Sequence, residues 1–162
     1  MTKEERYKSL LPQVKFLCEG ETDMIAKMAN VAALLHSEFG FWWTGFYRVA
    51  PIMNCEFRNS NFNIQNSELI LGPFQGPIAC VHIAYGRGVC GTAWKERRTL
   101  VVPDVEAFPG HIACSSESRS EIVVPVMAGS EVVAVLDIDS RELSTFDDTD
   151  RRELEELVKL IP

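Results

Sequence analysis

Residues 132–139 read VVAVLDID, a continuous apolar run that ends in two aspartates. Such a run is typical of a β-strand that is buried on both faces. Residues 122–127 read IVVPVM, and only the tetrapeptide Ala-Gly-Ser-Glu separates the two runs. Two apolar runs joined by a short connection that contains glycine are typical of a hairpin. We therefore predict an antiparallel β-hairpin in the second half of the chain.

Helical patterns lie on both sides of this hairpin. Thr2 and Glu5 have the spacing of a capping box and predict a first helix over about residues 3–17. Pro12 lies inside that segment, where it predicts a kink or a break. The N-terminal part of the chain is therefore expected to begin with a helix.

Two further helices are predicted from apolar residues at helical spacing. The first of them starts with Thr22 as its cap and stops at Gly40. The other covers about residues 147–160 and is capped by Ser144 or Thr145.

The segments between the helices predict short strands joined by turns. Aromatic and β-branched residues predict a strand at 41–49, and further strands are predicted at 69–74, 79–83 and 100–102, with a turn at 86–91 that leads into a short helix. The asparagine-rich segment 51–67 predicts a long loop. We predict one α+β domain over residues 1–162, with helices at about 1–40, a mainly antiparallel sheet and its loops at about 41–140, and a C-terminal helix. The pattern does not give the order of the strands.

Charge and hydropathy exclude several functions. The chain has 162 residues, with 16 basic and 23 acidic side chains and a net charge of −7. An acidic surface repels phosphate backbones, so nucleic acid is not expected as a partner. No apolar run is long enough to cross a membrane, and the N-terminus does not resemble a signal peptide, so we expect a cytoplasmic protein without a membrane partner.

Three cysteines that fall between residues 80 and 114 are the first candidates for chemistry. Cys80, Cys90 and Cys114 lie beside glycine, histidine or hydroxyl residues, whereas Cys18 lies on a predicted helix and is expected to be a buried apolar residue. A redox function needs a thiolate and a second thiol within reach. Cys90 is favoured by its position at a predicted helix N-terminus, where an anion is stabilised. Cys114 lies in a loop close to a histidine, and the sequence does not rank these two.

Zinc binding is an alternative interpretation of the same segment. Cysteine and histidine are typical zinc ligands, and the segment offers Cys80, His82, Cys90, His111 and Cys114. No Cys-x-x-Cys pair is present, so the spacing argues against this interpretation.

Acidic and aromatic side chains form a second group of candidates. Asp137 and Asp139 lie two residues apart on a predicted strand and therefore on the same face, and Glu121 begins the preceding strand. Like charges at such a position repel, and their titrations are expected to interact. The alternative is a solvated strand end. Trp43 and Tyr47 also share one strand face, where they form either core or the wall of a ligand pocket.

These residues together resemble one family, the free methionine-(R)-sulfoxide reductases, which are built on a GAF domain. The similarity covers about residues 22–160. It is carried by WTGFY at 43–47, LGPFQG at 71–76, GRGVCGTA at 86–93, GHIAC at 110–114, SEIVVP at 120–125 and VLDIDS at 135–140. The loop at 51–67, which contains Cys55, is longer than the family's usual connection.

The resemblance implies a role for each candidate residue. Cys114 corresponds to the family's catalytic cysteine, Cys80 to its resolving cysteine, and Cys90 to an auxiliary or second resolving cysteine. Cys90, favoured from the residues alone, is thereby replaced by Cys114 as the expected nucleophile. The expected substrate-binding residues are Glu121, Asp137 and Asp139, with Trp43 and Tyr47 as aromatic pocket residues.

The resemblance also implies a reaction. Free methionine sulfoxide would be reduced by a cysteine that becomes a sulfenic acid and then a disulfide, which thioredoxin recycles. Neither a metal nor an organic cofactor is implied, and a homodimer is expected. Two other classes remain as alternatives: a GAF sensor domain without catalysis, and a structural zinc domain.

Overall fold

The computed structural model describes residues 1–52, 66–111 and 116–162. The helices are α1 (Lys3–Cys18), α2 (Met24–Phe39), α3 (Gly88–Glu96) and α4 (Asp148–Val158), and the strands are β1 (Trp43–Pro51), β2 (Ser67–Gln75), β3 (His82–Ala84), β4 (Leu100–Val102), β5 (Ser120–Ala128) and β6 (Glu131–Ser140). The predicted long loop with Cys55, and the catalytic candidate Cys114, lie outside the described residues.

One six-stranded sheet organises the molecule, in the order β3-β2-β1-β6-β5-β4. Every neighbouring pair is antiparallel, which confirms the predicted α+β class. The hairpin predicted from the two apolar runs is the pair β5 and β6, which pair from Ser120 and Ser140 to Ala128 and Glu131 with a register shift between Val126 and Met127. The order itself places β1 beside β6, a pairing between residues far apart in the chain.

Helix caps explain where the helices begin. Thr2 and Glu5 form the predicted capping box of α1. The predicted cap Thr22 is wrong, because the Asp23 carboxylate accepts the backbone N–H groups of Ile25 and Ala26 at 2.8 and 3.2 Å. A carboxylate also interacts more favourably than a hydroxyl with the positive end of a helix.

The C-terminal helix shows the same preference. The predicted caps Ser144 and Thr145 are wrong, and Asp147 caps α4 by accepting the N–H of Thr149 at 2.7 Å. Pro12 does not break α1, which runs from Lys3 to Cys18 with four buried side chains on one side. Packing of that apolar side is a stronger determinant of the helix than the one lost backbone bond.

The two faces of the sheet carry two separate hydrophobic cores. Helices α1, α2 and α4 pack on one face, against alternating residues such as Phe46, Ile122 and Leu136. The other face packs against α3 and carries Trp43 and Tyr47. Because side chains alternate along a strand, each of the central strands contributes to both cores. In the described part of the chain, α3 is the one α-helix on the second face, and a pocket lies there.

A polar cluster joins the first helix to the last. The Lys3 ammonium lies 2.5 Å from an oxygen of Asp150 and 2.8 Å from Asp147. The Tyr7 hydroxyl donates to the other Asp150 oxygen at 2.9 Å, and both Tyr7 and Asp150 are fully buried. These contacts satisfy a buried carboxylate that would otherwise be costly. None of the helices described is both long and apolar enough to serve as a membrane span.

Candidate active site

A pocket lies between α3 and the sheet. It is lined by Trp42, Trp43, Tyr47, Pro77, Ile78, Ala79, Ile83, Arg87, Gly88, Val89, Cys90, His111, Ser118, Glu121, Asp137 and Asp139. Of the described candidates from the sequence, the set includes two aromatic, three acidic and one cysteine side chain, namely Trp43, Tyr47, Glu121, Asp137, Asp139 and Cys90, but it does not include Cys80. It also includes residues that sequence reasoning missed, notably Ser118 and the pocket-facing role of His111.

The register of three adjacent strands assembles the pocket face. Trp43 on β1 is paired with Asp139 on β6, and Asp139 is in turn paired with Glu121 on β5. Tyr47 and Asp137 follow at even spacing on their strands, so alternation turns them to the same side. The predicted common face of Asp137 and Asp139 is therefore present.

The aromatic wall is held rigidly. The Trp43 ring stacks with Tyr47 at 5.9 Å and with Phe74 at 5.4 Å between centroids. Its indole N–H donates to the carbonyl of Pro77 at 3.1 Å. Gly45 lies between the rings, and a Cβ there would come within 2.5 Å of Trp43. The absence of a side chain at Gly45 lets the rings pack closely.

The Tyr47 hydroxyl connects the aromatic wall to the segment before β3. It donates to the backbone carbonyl of Cys80 at 3.0 Å. Burial, followed by the charge of Asp137, raises the pKa of Tyr47, so the hydroxyl stays protonated and remains a donor. The predicted strand at 79–83 is shorter than expected, since β3 begins only at His82.

The acidic wall is buried and has an incomplete set of hydrogen bonds. Glu121 and Asp137 are 6% and 7% exposed. Burial, followed by the charge of Asp137, raises the pKa of Glu121 well above the ordinary range. Burial, followed by the charge of Asp139, does the same for Asp137, and burial raises the pKa of Asp139 to about 6. Ser118 donates to Asp139. Oδ1 of Asp137 is buried and accepts no hydrogen bond from the described part of the chain.

The unpartnered oxygen of Asp137 gives this wall a place where a cation can bind. A buried carboxylate oxygen without a donor is costly, and a positively charged ligand would supply the missing donor. The alternative interpretation of the two aspartates as a solvated strand end does not agree with the burial of Asp137.

Cys90 lies at the N-terminus of a helix, as predicted, but its thiol is not acidic as predicted. It is the third residue of α3 and is 5% exposed. Burial, followed by the charges of Asp137 and Glu121, raises its pKa well above that of an ordinary thiol. The prediction that the helix N-terminus makes Cys90 a reactive thiolate is therefore wrong, because desolvation and two carboxyl groups outweigh the helix dipole.

The described cysteines differ in whether they form a disulfide bond. Cys80 is disulfide-bonded, whereas Cys18 and Cys90 are free thiols and so neither is its partner. Cys18 is buried, as predicted from its position on a helix. Cys80 directly follows Ala79, a residue of the pocket wall.

The zinc ligands considered from the sequence do not form a common site in the described ranges, although Cys90 and His111 line the same pocket. His82 is exposed on β3 and pairs with Glu68 at 3.1 Å. His111 instead lines the pocket, with Nε2 3.9 Å from an oxygen of Glu121, and burial lowers its pKa. Cys80 is engaged in a disulfide. Proximity in sequence was therefore a poor guide to proximity of these groups.

An antiparallel six-stranded sheet with three helices on one face, and with α3 and the pocket on the other, is the architecture of a GAF domain. The family model described as "GAF domain" matches residues 19–161. Two relatives named free methionine-R-sulfoxide reductase are 41% and 38% identical to this chain. The chain therefore belongs to the GAF-domain family of free methionine-R-sulfoxide reductases.

Individual relatives cover the chain almost completely. "GAF domain-containing protein A" of Dictyostelium discoideum is 50% identical, over 99% of this chain and 92% of its own. The "Free methionine-R-sulfoxide reductase" of Escherichia coli is 41% identical, over 98% of this chain and 87% of its own. The crystal structure of free methionine-R-sulfoxide reductase from Neisseria meningitidis in complex with its substrate is 46% identical with a TM-score of 0.86, over 99% and 89%.

Proposed function

We propose that this chain reduces free L-methionine (R)-S-oxide to L-methionine. The observation that carries the proposal is the pocket itself, in which an aromatic wall lies beside buried carboxyl groups, and Oδ1 of Asp137 has no hydrogen-bond partner among the described residues. The substrate offers a matching pair of groups, a methyl sulfoxide and an ammonium. Relatives that bear the name of this activity, one of them crystallised with its substrate, support the choice of ligand.

The walls of the pocket position the substrate. Its methyl group packs on Trp43 and Tyr47, while its ammonium donates to Asp137 Oδ1 and the neighbouring acids. Ion pairs are strong where water is excluded, and both walls are nearly inaccessible to solvent. A methionine sulfoxide inside a protein has an amide in place of the ammonium and would leave the acids without a counter-charge. The pocket therefore selects the free amino acid.

Cys114 is the proposed nucleophile. Its thiolate attacks the sulfoxide sulfur, the sulfoxide oxygen passes to Cys114 as a sulfenic acid, and methionine leaves with its sulfur reduced. The oxygen must gain protons during this transfer. The carboxyls of Glu121 and Asp139 line the same pocket and retain protons at higher pH than ordinary carboxyls, which makes them suitable donors.

Cys80 is the proposed resolving residue. Its thiol condenses with the sulfenic acid, water leaves, and a Cys80–Cys114 disulfide remains. The disulfide state of Cys80, with Cys90 as a free thiol, supports Cys80 rather than Cys90 as the resolving residue. A thioredoxin-like dithiol then returns both cysteines to thiols by exchange. We place Cys90 as auxiliary, and we propose a cytoplasmic homodimer.

An assay with the two enantiomers of free methionine sulfoxide tests the function. With dithiothreitol as reductant, we expect methionine to form from the R enantiomer and not from the S enantiomer. The competing function is a GAF sensor domain, which would bind a ligand in the same pocket without consuming thiols. Tight binding without methionine formation would therefore contradict the proposal and favour the sensor.

A further inference from the structure

We propose that Cys90, Glu121 and Asp137 form a binding site for a thiophilic divalent cation of the zinc type, and that this cation competes with the amino-acid substrate. The three residues come from α3, β5 and β6. Their ligand atoms, one sulfur and two carboxylate oxygens, all lie within 4.8 Å of one another, and all three residues are buried. This set shares only Cys90 with the zinc ligands considered from the sequence.

The spacing of the three donors suits a tetrahedral ion. With zinc–sulfur and zinc–oxygen bonds of about 2.3 and 2.0–2.2 Å, donors at the corners of a tetrahedron are separated by about 3.3–3.7 Å. The three ligand atoms, which lie within 4.8 Å of one another, therefore need only a small adjustment of their side chains to reach these separations. The fourth position faces the pocket, where a water molecule completes the coordination.

An unpartnered atom supports the site independently of the clustering. Asp137 is more than nine-tenths buried and its side chain lines the pocket, yet its Oδ1 accepts no hydrogen bond from the described residues. The ammonium of the substrate satisfies this atom during the proposed reaction. When the pocket holds no substrate, a metal ion satisfies it equally well and adds a bond to the sulfur.

Cys90 determines which cation fits. The proposed reaction uses Cys114 and Cys80, and it leaves a buried free thiol beside two carboxyl groups without a chemical step. A thiolate donor selects zinc and similar borderline-soft ions. Magnesium and calcium prefer six or more oxygen ligands, and they gain little from a site with one sulfur and two oxygens. The cation is therefore an inhibitor that occupies the ammonium position, and not a participant in turnover.

Cobalt(II) titration of the oxidised protein tests the site directly. In the absence of reductant the disulfide keeps Cys80 from binding metal, and a Cys90 thiolate bound to cobalt gives a near-ultraviolet charge-transfer absorption that Zn²⁺ abolishes by displacement. We expect this absorption in the wild type and in Cys18→Ser, the matched buried cysteine, and its loss in Cys90→Ser. Retention of the absorption in Cys90→Ser would overturn the proposal.

Equilibrium dialysis with Zn²⁺ provides the second measurement. Glu121→Gln keeps the size of the side chain and removes a charged ligand, so we expect it to weaken zinc binding at least about tenfold. Circular dichroism shows whether each variant is folded, and an unchanged affinity in folded Glu121→Gln would overturn the site.

Competition is the only part of the inference that rests on the proposed function. We expect free methionine to raise the apparent dissociation constant of Zn²⁺ more than glycine does, since glycine has the same zinc-chelating amino and carboxylate groups but no side chain to fill the pocket. Zinc binding that free methionine leaves unchanged would overturn the competition. A protein that binds zinc through Cys90 but reduces no sulfoxide would contradict the proposed function and leave the metal site standing.

Discussion

Trp43 on β1 is directly paired with Asp139 on β6. One backbone pairing therefore places the edge of the aromatic wall beside the edge of the acidic wall. Shifting the register of β6 by one residue would turn both aspartates into the opposite core, among the apolar side chains that pack on α1, α2 and α4. The pocket thus depends on the pairing of two strands that are distant in the chain.

Replacing the proposed nucleophile should abolish the reaction. We expect Cys114→Ser to lose turnover with dithiothreitol, because a hydroxyl is far less ionised than a thiol at neutral pH and attacks sulfur poorly. Cys18→Ser, in a buried helix position away from the pocket, is the control and should keep wild-type turnover. If Cys114→Ser were active while Cys90→Ser were inactive, the nucleophile would be Cys90.

Oxidised enzyme should contain a disulfide between Cys80 and Cys114. One turnover without reductant, followed by peptide mapping, measures this pairing. We expect Cys80→Ser to form methionine once and then to lose recycling by thioredoxin, because the sulfenic acid has no resolving thiol. Detection of a Cys90–Cys114 peptide together with retained recycling in Cys80→Ser would assign the resolving role to Cys90 instead.

The acidic wall should discriminate against substrates without an ammonium group. We expect N-acetylation of the sulfoxide to lower kcat/KM at least about a hundredfold, which corresponds to about 2.7 kcal/mol. Asp137→Asn and Asp139→Asn should weaken binding of the free amino acid while Cys114 remains reactive toward small alkylating agents. Equal activity on free and N-acetylated sulfoxide would remove the acids from substrate recognition.

The close packing at Gly45 should make the aromatic wall sensitive to a single methyl group. In Gly45→Ala the new Cβ would lie 2.4 Å from Cβ of Phe74 and 2.5 Å from the Trp43 ring. We expect the rings to move apart, KM to rise, and the free energy of unfolding to fall by about 1–3 kcal/mol. Steady-state kinetics and urea denaturation measure the two effects, and an unchanged KM would show that the substrate does not contact this wall.

The contact between the first and last helices should stabilise the fold. Lys3→Met removes the ammonium that neutralises the buried Asp150, and we expect a loss of about 1.5–3 kcal/mol in the free energy of unfolding. Lys8→Met is the matched control, since Lys8 is exposed and its ion pair in the described structure is with Glu4, one turn away. That variant should change stability by less than about 0.5 kcal/mol. Equal losses in the two variants would contradict the importance of the cluster.

The same cluster predicts a pH dependence. The hydrogen bond from Lys3 lowers the pKa of Asp147 below its ordinary value of 3.8. A lowered carboxyl pKa contributes stability that is present above the ordinary value and is lost as the pH falls through the value in the folded protein. The difference in stability between the wild type and Lys3→Met should therefore narrow below about pH 4. Thermal unfolding of the wild type and Lys3→Met between pH 3 and 7 measures this difference in stability.

Local signals in the sequence predicted most of the secondary structure. The β5–β6 hairpin was predicted because apolar runs and a glycine turn are short-range features. The cap of α2 was misplaced by one residue, since Thr22 and Asp23 both carry a capping oxygen and only the backbone geometry distinguishes them. The order of the strands was not predictable, because it depends on pairings between distant segments.

The sequence predicted which residues share the pocket face more reliably than it predicted how reactive they are. Alternation along β6 was sufficient to bring Asp137 and Asp139 to one face. The reactivity of Cys90 was misjudged, because its burial against β5 and β6 is a tertiary property that a local helix pattern does not contain. The contact of His111 with Glu121 was missed for the same reason, since these residues meet only through the fold.

The contact between Lys3 and Asp150 joins residues that are 147 positions apart, and this separation affects the protein during its synthesis. On the ribosome, α1, β1 and the aromatic rings emerge long before β5, β6 and α4. Until then Tyr7 lacks its partner Asp150 and Trp43 lacks the neighbouring strand β6, and only rings from early segments, such as Phe39 and Tyr47, pack against them. The protein therefore folds as a unit only when translation is nearly complete, and its newly made chains depend on protection from aggregation up to that moment.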